Sequence, residues 1–403
     1  VQACALSAAG LGTRPWRGDD GLGVRAMGAR LAWRVVAALV ALASAEGVAW
    51  PDRAGAQGIF DAAEWKTNFK KFSVPLAEIR SGGPPKDGIP AIDRPQFVTV
   101  ADAGQWLRPR EPVIVFERGS DARAYPLQIL IWHEIVNDTV GGVPVVVTFC
   151  PLCNTSLTYE RRLGDRVHDF GTTGRLYRSA LVMYDRQTES WWWQVSGEAI
   201  VGDLTGARLV LLPSQIVSFE TFRQARPGGK VLSRETGHSR PYGRNPYVGY
   251  DDVNASPFLY TGPTDRRLRP MERVVTVSLG GHDVAYPFSA LATVGVVHDV
   301  VGGVPIVVFY QKGTASALDA GDIAAGRDVG AAAVFSPVLD GRRLTFTARG
   351  VQFVDAPTRS TWNILGQATG GPLAGRRLAP VPHGNHFWFS WASYRPQTRI
   401  WTP

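Results

Sequence analysis

Val136-Asn137-Asp138-Thr139-Val140-Gly141-Gly142-Val143-Pro144-Val145-Val146-Val147 reads as two β-strands folded back on each other. β-Branched residues dominate both arms, and Gly141-Gly142 supplies the positive φ that a tight hairpin loop needs. From Val143 to Phe149 the second arm is nearly continuous β-branched sequence, the pattern of a strand buried on both faces. The same text returns further along as Val297-His298-Asp299-Val300-Val301-Gly302-Gly303-Val304-Pro305-Ile306-Val307-Val308. The alignment extends upstream without a gap, setting Ala124-Tyr125-Pro126-Leu127 on Ala285-Tyr286-Pro287-Phe288. A weaker echo follows in each case. Thr188-Glu-Ser-Trp-Trp192 answers to Thr358-Arg-Ser-Thr-Trp362, and Gly202 to Leu209 answers to Gly371 to Leu378.

A repeat of this length is a domain-sized unit, not a solenoid period. Pro112–Phe116, Ser156–Glu160 and Leu181–Tyr184 read as further strands. Helix candidates are few: Ala62–Phe72, and Ser218–Ala225 with Ser218 as its N-cap. Segments 81–95 and 237–270 are rich in Gly, Pro and Arg and read as surface loops. The expected fold is therefore mainly β (a β-rich α+β class), with two diverged copies of one β-dominated domain packed together. The expected divisions are a leader and signal peptide (1–56), an N-terminal extension (57–95), a first copy (96–235), a loop-rich linker (236–264) and a second, degenerate copy (265–403).

From Met27 a basic start leads into the apolar run Val35–Ala43, and Ala43-Ser-Ala45 and Ala54-Gly-Ala56 offer small-x-small cleavage sites. That layout predicts export to the periplasm or the extracellular space through a signal peptide, and leaves the mature protein without a transmembrane domain. Residues 1–26 read as an over-long gene start or a leader. The formal charge of +8 is dominated by Arg and scattered, without stacking aromatics, which argues against a nucleic-acid partner. A small-molecule or protein partner is left open. The chain has no phosphate-binding glycine loop, nucleophile elbow or zinc-protease helix motif.

Of three cysteines, Cys4 lies upstream of the signal, so Cys150 and Cys153 are the mature pair, in Phe149-Cys-Pro-Leu-Cys-Asn154. In register, the second copy has lost the polar set: Val294 stands for His133, Gly295 for Glu134, Gln311 for Cys150 and Thr314 for Cys153. A framework kept while its polar residues disappear points to chemistry in the first copy alone.

The order Tyr125-Pro126, Trp132-His133-Glu134, Asn137-Asp138, Gly142-Val-Pro144, Cys150-Pro-Leu-Cys153, Phe170-Gly171, Gly174-Arg-Leu176-Tyr177, Met183-Tyr-Asp185-Arg186 and Ser190-Trp191 resembles a family of exported bacterial and archaeal proteins, the domain of unknown function numbered 3179. The resemblance brings no reaction with it. It implies that His133, Glu134, Cys150, Cys153 and the Met183–Arg186 stretch belong to one pattern, and it does not obviously take in His168.

Three readings of the thiol pair stay open. In the first, Cys150 and Cys153 clamp a metal with His133, completed by Met183 or Glu134. A thioether beside thiolates and an imidazole favours copper, and without Met183 the set suits zinc. In the second, the pair exchanges with disulfides, although Asn154-Thr-Ser-Leu-Thr-Tyr-Glu reads as turn then strand and lacks the helix that usually acidifies such thiols. In the third, the pair is a structural disulfide in a binding module, worth only about 2 kcal/mol for so small a loop. His133 as base to a catalytic thiol is a further option. Met183 also reads as core, His133 as a satisfied half-buried histidine, Trp191-Trp-Trp193 as core, and His168-Asp169 and His383-Gly-Asn-His386 as surface.

Overall fold

The computed structural model describes residues 64–403. The leader, the run after Met27, both cleavage sites and Cys4 lie outside the described residues. The described chain is mainly β, in several sheets.

Strands β1 (Pro112–Arg118) and β2 (Asp121–Pro126) form a hairpin, helix α1 (Leu127–His133) follows at once, and β3 (Ile135–Val140) and β4 (Val143–Cys150) form the second hairpin. Val140 faces Val143 across the loop, where Gly141 and Gly142 take φ of 54° and 80°. All of β4 beyond Val143 is buried, as its unbroken β-branched text requires. The chain then turns into β5 (Thr155–Glu160) and, further on, β6 (Phe170–Tyr177), β7 (Ala180–Asp185) and β8 (Trp191–Trp193). Trp191, Trp192 and Trp193 are all core residues, and the indole of Trp192 donates to Asp185 Oδ2 at 3.0 Å. Strand β9 (Gln215–Ser218) leads into helix α2 (Phe219–Ala225), whose Thr221 N–H is capped by Ser218 Oγ at 3.2 Å.

The later part of the chain presents β10 (Arg273–Leu279), β11 (His282–Pro287), α3 (Phe288–Val294), β12 (Val296–Val301) and β13 (Val304–Gln311) in the same order. Gly302 and Gly303 take φ of 55° and 81°. Tyr125 donates to Asp138 at 2.6 Å, and Tyr286 to Asp299 at 2.7 Å. The indole of Trp362 donates to Asp355 Oδ2 at 3.0 Å, as Trp192 does to Asp185. Strand β14 (Gly384–Phe387) and helix α4 (Trp388–Tyr394) close the order.

One eight-stranded sheet draws on both parts. It runs Arg399–Ile400, β11, β10, β14, β5, β4, β3, with Val210–Leu212 also paired to β5. The seam is the pairing of Asn385 with Ser156. That pairing sets the start of β5, and with it the Cys-x-x-Cys turn, beside β14 and α4.

Helices α1, α3 and α4 were not legible. Leu127-Gln-Ile-Leu-Ile-Trp-His133 is buried almost all round, so no polar face marks its period. The helix expected from Ala62 to Phe72 does not form in its described part. There the backbone is spent on other partners: Lys66 N–H donates to Glu189 Oε2 at 2.7 Å, Phe72 bridges to Val201, and Trp65 packs edge-on against Tyr184 and Trp191. The N-terminal segment is woven into the fold, with Ile79–Ser81 adding to β6 and Ile92 bridging in parallel to Val136. Among the described residues no helix is long and apolar enough to cross a membrane.

Candidate functional site

Cys150 is the last residue of β4, Pro151–Cys153 make one 3₁₀ turn, Asn154 takes φ of 47°, and β5 begins at Thr155 opposite Cys150. The turn-then-strand reading of this stretch holds, and no α-helix begins at either thiol. Both thiols are free and buried, and Cys153 Sγ lies 3.8 Å from the Cys150 carbonyl. Their proton affinities are driven apart. Burial pushes the Cys150 thiol well up, and its hydrogen bond to Cys153 adds to this. Burial opposes ionisation of Cys153 too, but hydrogen bonds from Cys150 and from Thr155, with the Ser390 hydroxyl close by, outweigh it and bring that thiol below its usual range. Of the two, Cys153 therefore gives up its proton more readily than Cys150.

Glu134 stands against Cys150. It ends α1 in the left-handed conformation, φ 58°, while its carbonyl accepts from Phe149 N–H at 2.8 Å. A non-glycine residue held there costs about 1–2 kcal/mol. At the matching end of α3 stands Gly295, φ 72°, whose carbonyl accepts from Tyr310 N–H at 2.9 Å. The Glu134 carboxyl is buried and takes no hydrogen bond among the described residues. Burial, and then the neighbouring Cys150, hold its pKa well above the carboxylate range. Glu134 thus combines a left-handed backbone with a buried acid at a position where the second part of the chain has glycine.

The cover over this group comes from the loop that joins the two parts. Tyr250 donates to the Leu152 carbonyl at 2.9 Å and accepts from Phe258 N–H at 3.1 Å. Tyr247 sits within electrostatic reach of both Glu134 and Cys150. The loop is pinned by Asp251, wholly buried in its side chain, which pairs with Arg273 at 2.7 Å and Arg327 at 2.9 Å. The segment is irregular, as expected, but it is not simply surface.

His133 is engaged elsewhere. Its Nδ1 bonds the Pro90 carbonyl and its Nε2 the Tyr242 hydroxyl, both at 2.7 Å. Burial brings its pKa down to about 4, so the ring is neutral at pH 7. The rest of the family pattern converges on the same strap. Asn137 donates to Asp93 at 2.7 Å, and Tyr184 and Arg186 bind Asp87, with Arg186 also 3.1 Å from Asp93. His133, Asn137, Tyr184 and Arg186 thus hold down residues 87–93. Met183 is fully buried in the main core, in register with Thr172 and Trp192. Its strand meets the thiols through the Leu181 N–H, which bonds Cys150. His168, expected at the surface, is buried with Nδ1 3.2 Å from Asp185, because Asp185 also fixes the following turn through Thr188.

Sequence reasoning missed Thr155, Ser390, Tyr247 and Tyr250 around the thiols. It also placed His383 and His386 at the surface, whereas both are buried. Thr155 Oγ1 lies 3.0 Å from His386 Nδ1, a contact created by the β5–β14 seam. Among the described residues no group of three or more His, Cys, Asp or Glu side chains is arranged to hold a metal ion.

A mainly β protein with a buried, asymmetrically biased dithiol beside an unpartnered acid is the class that fold and site define. The chain belongs to the family described as "Protein of unknown function (DUF3179)", whose model matches residues 86–398. No curated protein and no solved structure matches it.

Proposed function

We propose that Cys150 and Cys153 form a thiol–disulfide exchange centre whose proton traffic runs through Glu134. What supports this is the meeting of two free, buried thiols in one turn, pushed in opposite directions by burial and hydrogen bonding, with the buried Glu134 carboxyl, held above the carboxylate range, beside Cys150. In the exchange, the Cys153 thiolate attacks a disulfide of a partner molecule. A mixed disulfide forms, and the departing thiolate takes the Glu134 proton. The carboxylate so formed takes the proton of Cys150 as that sulfur attacks Cys153, which closes the intramolecular disulfide and releases the second thiolate of the partner. The partner is reduced by two electrons and the pair is oxidised by two. Export, which we propose from the stretch after Met27, would supply an oxidising compartment for the reverse direction. The tyrosine cover must lift for a partner to reach the pair.

Metal binding by the pair, copper before zinc, is the second reading. What supports it is a ready thiolate next to a second sulfur. His133 has both nitrogens committed, which leaves Glu134 as the oxygen donor at hand.

We infer further that the two parts are diverged copies of one unit. The like settings of Gly141-Gly142 and Gly302-Gly303, of Tyr125 and Tyr286, and of Trp192 and Trp362 support this. On that reading the second copy props the first and holds no site of the same kind.

The test is alkylation followed by intact mass, across a series of glutathione redox buffers. The reading expects a two-electron transition with cleanly interconverting dithiol and disulfide forms, faster exchange in Tyr250→Ala, and slower exchange in Glu134→Gln. An inert disulfide, or thiols that never oxidise in any buffer, would overturn it. Stoichiometric copper or zinc that is lost in both Cys150→Ser and Cys153→Ser would put the metal reading in its place.

A further inference from the structure

Strand β3 is the edge of its sheet, and the strap over it pairs with it in parallel at Ile92. Ile92 N–H donates to the Ile135 carbonyl, and Asn137 N–H donates to the Ile92 carbonyl, both at 2.9 Å. The next strap residue, Asp93, accepts from Asn137 Nδ2 at 2.7 Å, while Asn137 Oδ1 accepts from Phe170 N–H at 2.9 Å. The Asn137 amide thus serves two ways, accepting from the start of β6 and donating to the strap's carboxylate. Under the strap, Ile135, Val136, Asn137 and Asp138 are all buried.

Strand β12 is likewise the edge of its sheet, and its register with β13 repeats that of β3 with β4. Val296 and His298 therefore stand where Ile135 and Asn137 do. Antiparallel pairing alternates, so the Val296 carbonyl and the His298 N–H are turned away from β13, and among the described residues neither takes a hydrogen bond. The His298 ring takes the place of the Asn137 amide. Its Nε2 accepts from Phe346 N–H at 3.0 Å. An N–H only donates, so Nε2 is bare, the proton is on Nδ1, and this second donor has no partner among the described residues. The edge is also open to solvent. Val296, His298 and Asp299 are half-buried, and Val294 and Val300 are 38% and 50% exposed. Thr347 and Ala348 are exposed, whereas Gly171 and Thr172 beside the strap are buried. Exposed Arg343, without an ion pair among the described residues, lies within electrostatic reach of the His298 ring.

We propose that the β12 edge docks an extended segment of a partner protein that carries an apolar residue followed by an aspartate or glutamate, the pair that Ile92 and Asp93 present to β3. The segment adds as a parallel strand. Its apolar residue exchanges backbone hydrogen bonds with Val296 and His298, and its carboxylate accepts from His298 Nδ1–H beside the Arg343 guanidinium. The proposal stands on the geometry of the two hairpins and does not depend on the exchange reading.

The test uses the full chain and a synthetic peptide of the strap sequence, Asp-Gly-Ile-Pro-Ala-Ile-Asp, blocked at both ends. Titration calorimetry reads the affinity, and hydrogen exchange reads the His298 amide. The expected result is one equivalent of peptide with that amide slowed. Affinity should fall about 10–100-fold when the final Asp of the peptide is Asn, and by a similar factor in Arg343→Glu. His298→Asn keeps an acceptor and a donor and should retain binding, whereas His298→Ala should lose it. Circular dichroism checks that each variant folds. If His298→Ala does not fold, Arg343→Glu and the altered peptide decide, because Arg343 is exposed. No binding, or binding that neither of these two changes weakens, overturns the proposal. So does a His298 amide already protected in the chain alone: protection that falls on dilution means that a second copy covers the edge, and protection that persists means that the chain's own residues do.

Discussion

Glu134→Gly should make the protein more stable while impairing its dithiol. The substitution releases a left-handed backbone that costs a non-glycine residue about 1–2 kcal/mol. It also removes a buried carboxyl with no hydrogen bond among the described residues, a burden of about 1–3 kcal/mol. Against this, glycine adds about 0.5–1 kcal/mol of freedom to the unfolded chain, and two buried methylenes are lost at about 0.8 kcal/mol each. The net is about 1 kcal/mol in favour of glycine, which for a chain this size is a melting temperature raised by about 2 °C. Calorimetry at pH 7 measures it. The pH dependence gives a second reading. A carboxyl whose folded pKa is raised favours the fold at low pH, and that contribution disappears as pH rises through the folded value. Wild type should therefore lose stability with rising pH relative to Glu134→Gln, which keeps the backbone strain and cannot ionise. A Glu134→Gly protein less stable than wild type by about 1 kcal/mol or more would refute the reasoning, because the carboxyl would then be partnered and the backbone unstrained.

The converse change, Gly295→Ala, should destabilise by more than about 1–2 kcal/mol, since the left-handed penalty is joined by a Cβ only 2.6 Å from that of Ala348; chemical denaturation reads it. Burial brings His133, His383 and His386 down to about 4, 4 and 3, so each favours the fold above pH 6.5 and loses that contribution as pH falls towards its folded value. At pH 5 the loss is about 2 kcal/mol per ring, and His383→Gln should unfold less steeply with acid than wild type does. Asp251→Asn strips Arg273 and Arg327 of their buried partner and should cost about 3–5 kcal/mol. It should also speed alkylation of Cys153, because the loop that carries Tyr250 loses its pin.

The sequence by itself determined the strands, the two hairpins and the thiol turn. These are local matters: β-branched runs, a glycine pair with positive φ, and a proline-led Cys-x-x-Cys settle themselves within a few residues. The replacement of Glu134 by Gly295 was also visible there, before any geometry was known. What only the tertiary structure decided is which side chains share a space. His133 and Cys150 lie at the ends of segments that the hairpin joins, and pattern alone set them together. In the fold His133 turns to Pro90 and Tyr242, while the next residue, Glu134, meets the thiol. Helix α1 escaped notice because a helix buried on all sides has no polar period to read. His386 reaches Thr155 only because β14 pairs with β5 across more than half the chain, and Tyr247 and Tyr250 cover the thiols only because Asp251 is tied to two arginines. Long-range pairing and buried charge leave no periodic trace in sequence, since their energy comes from partners that folding alone brings together.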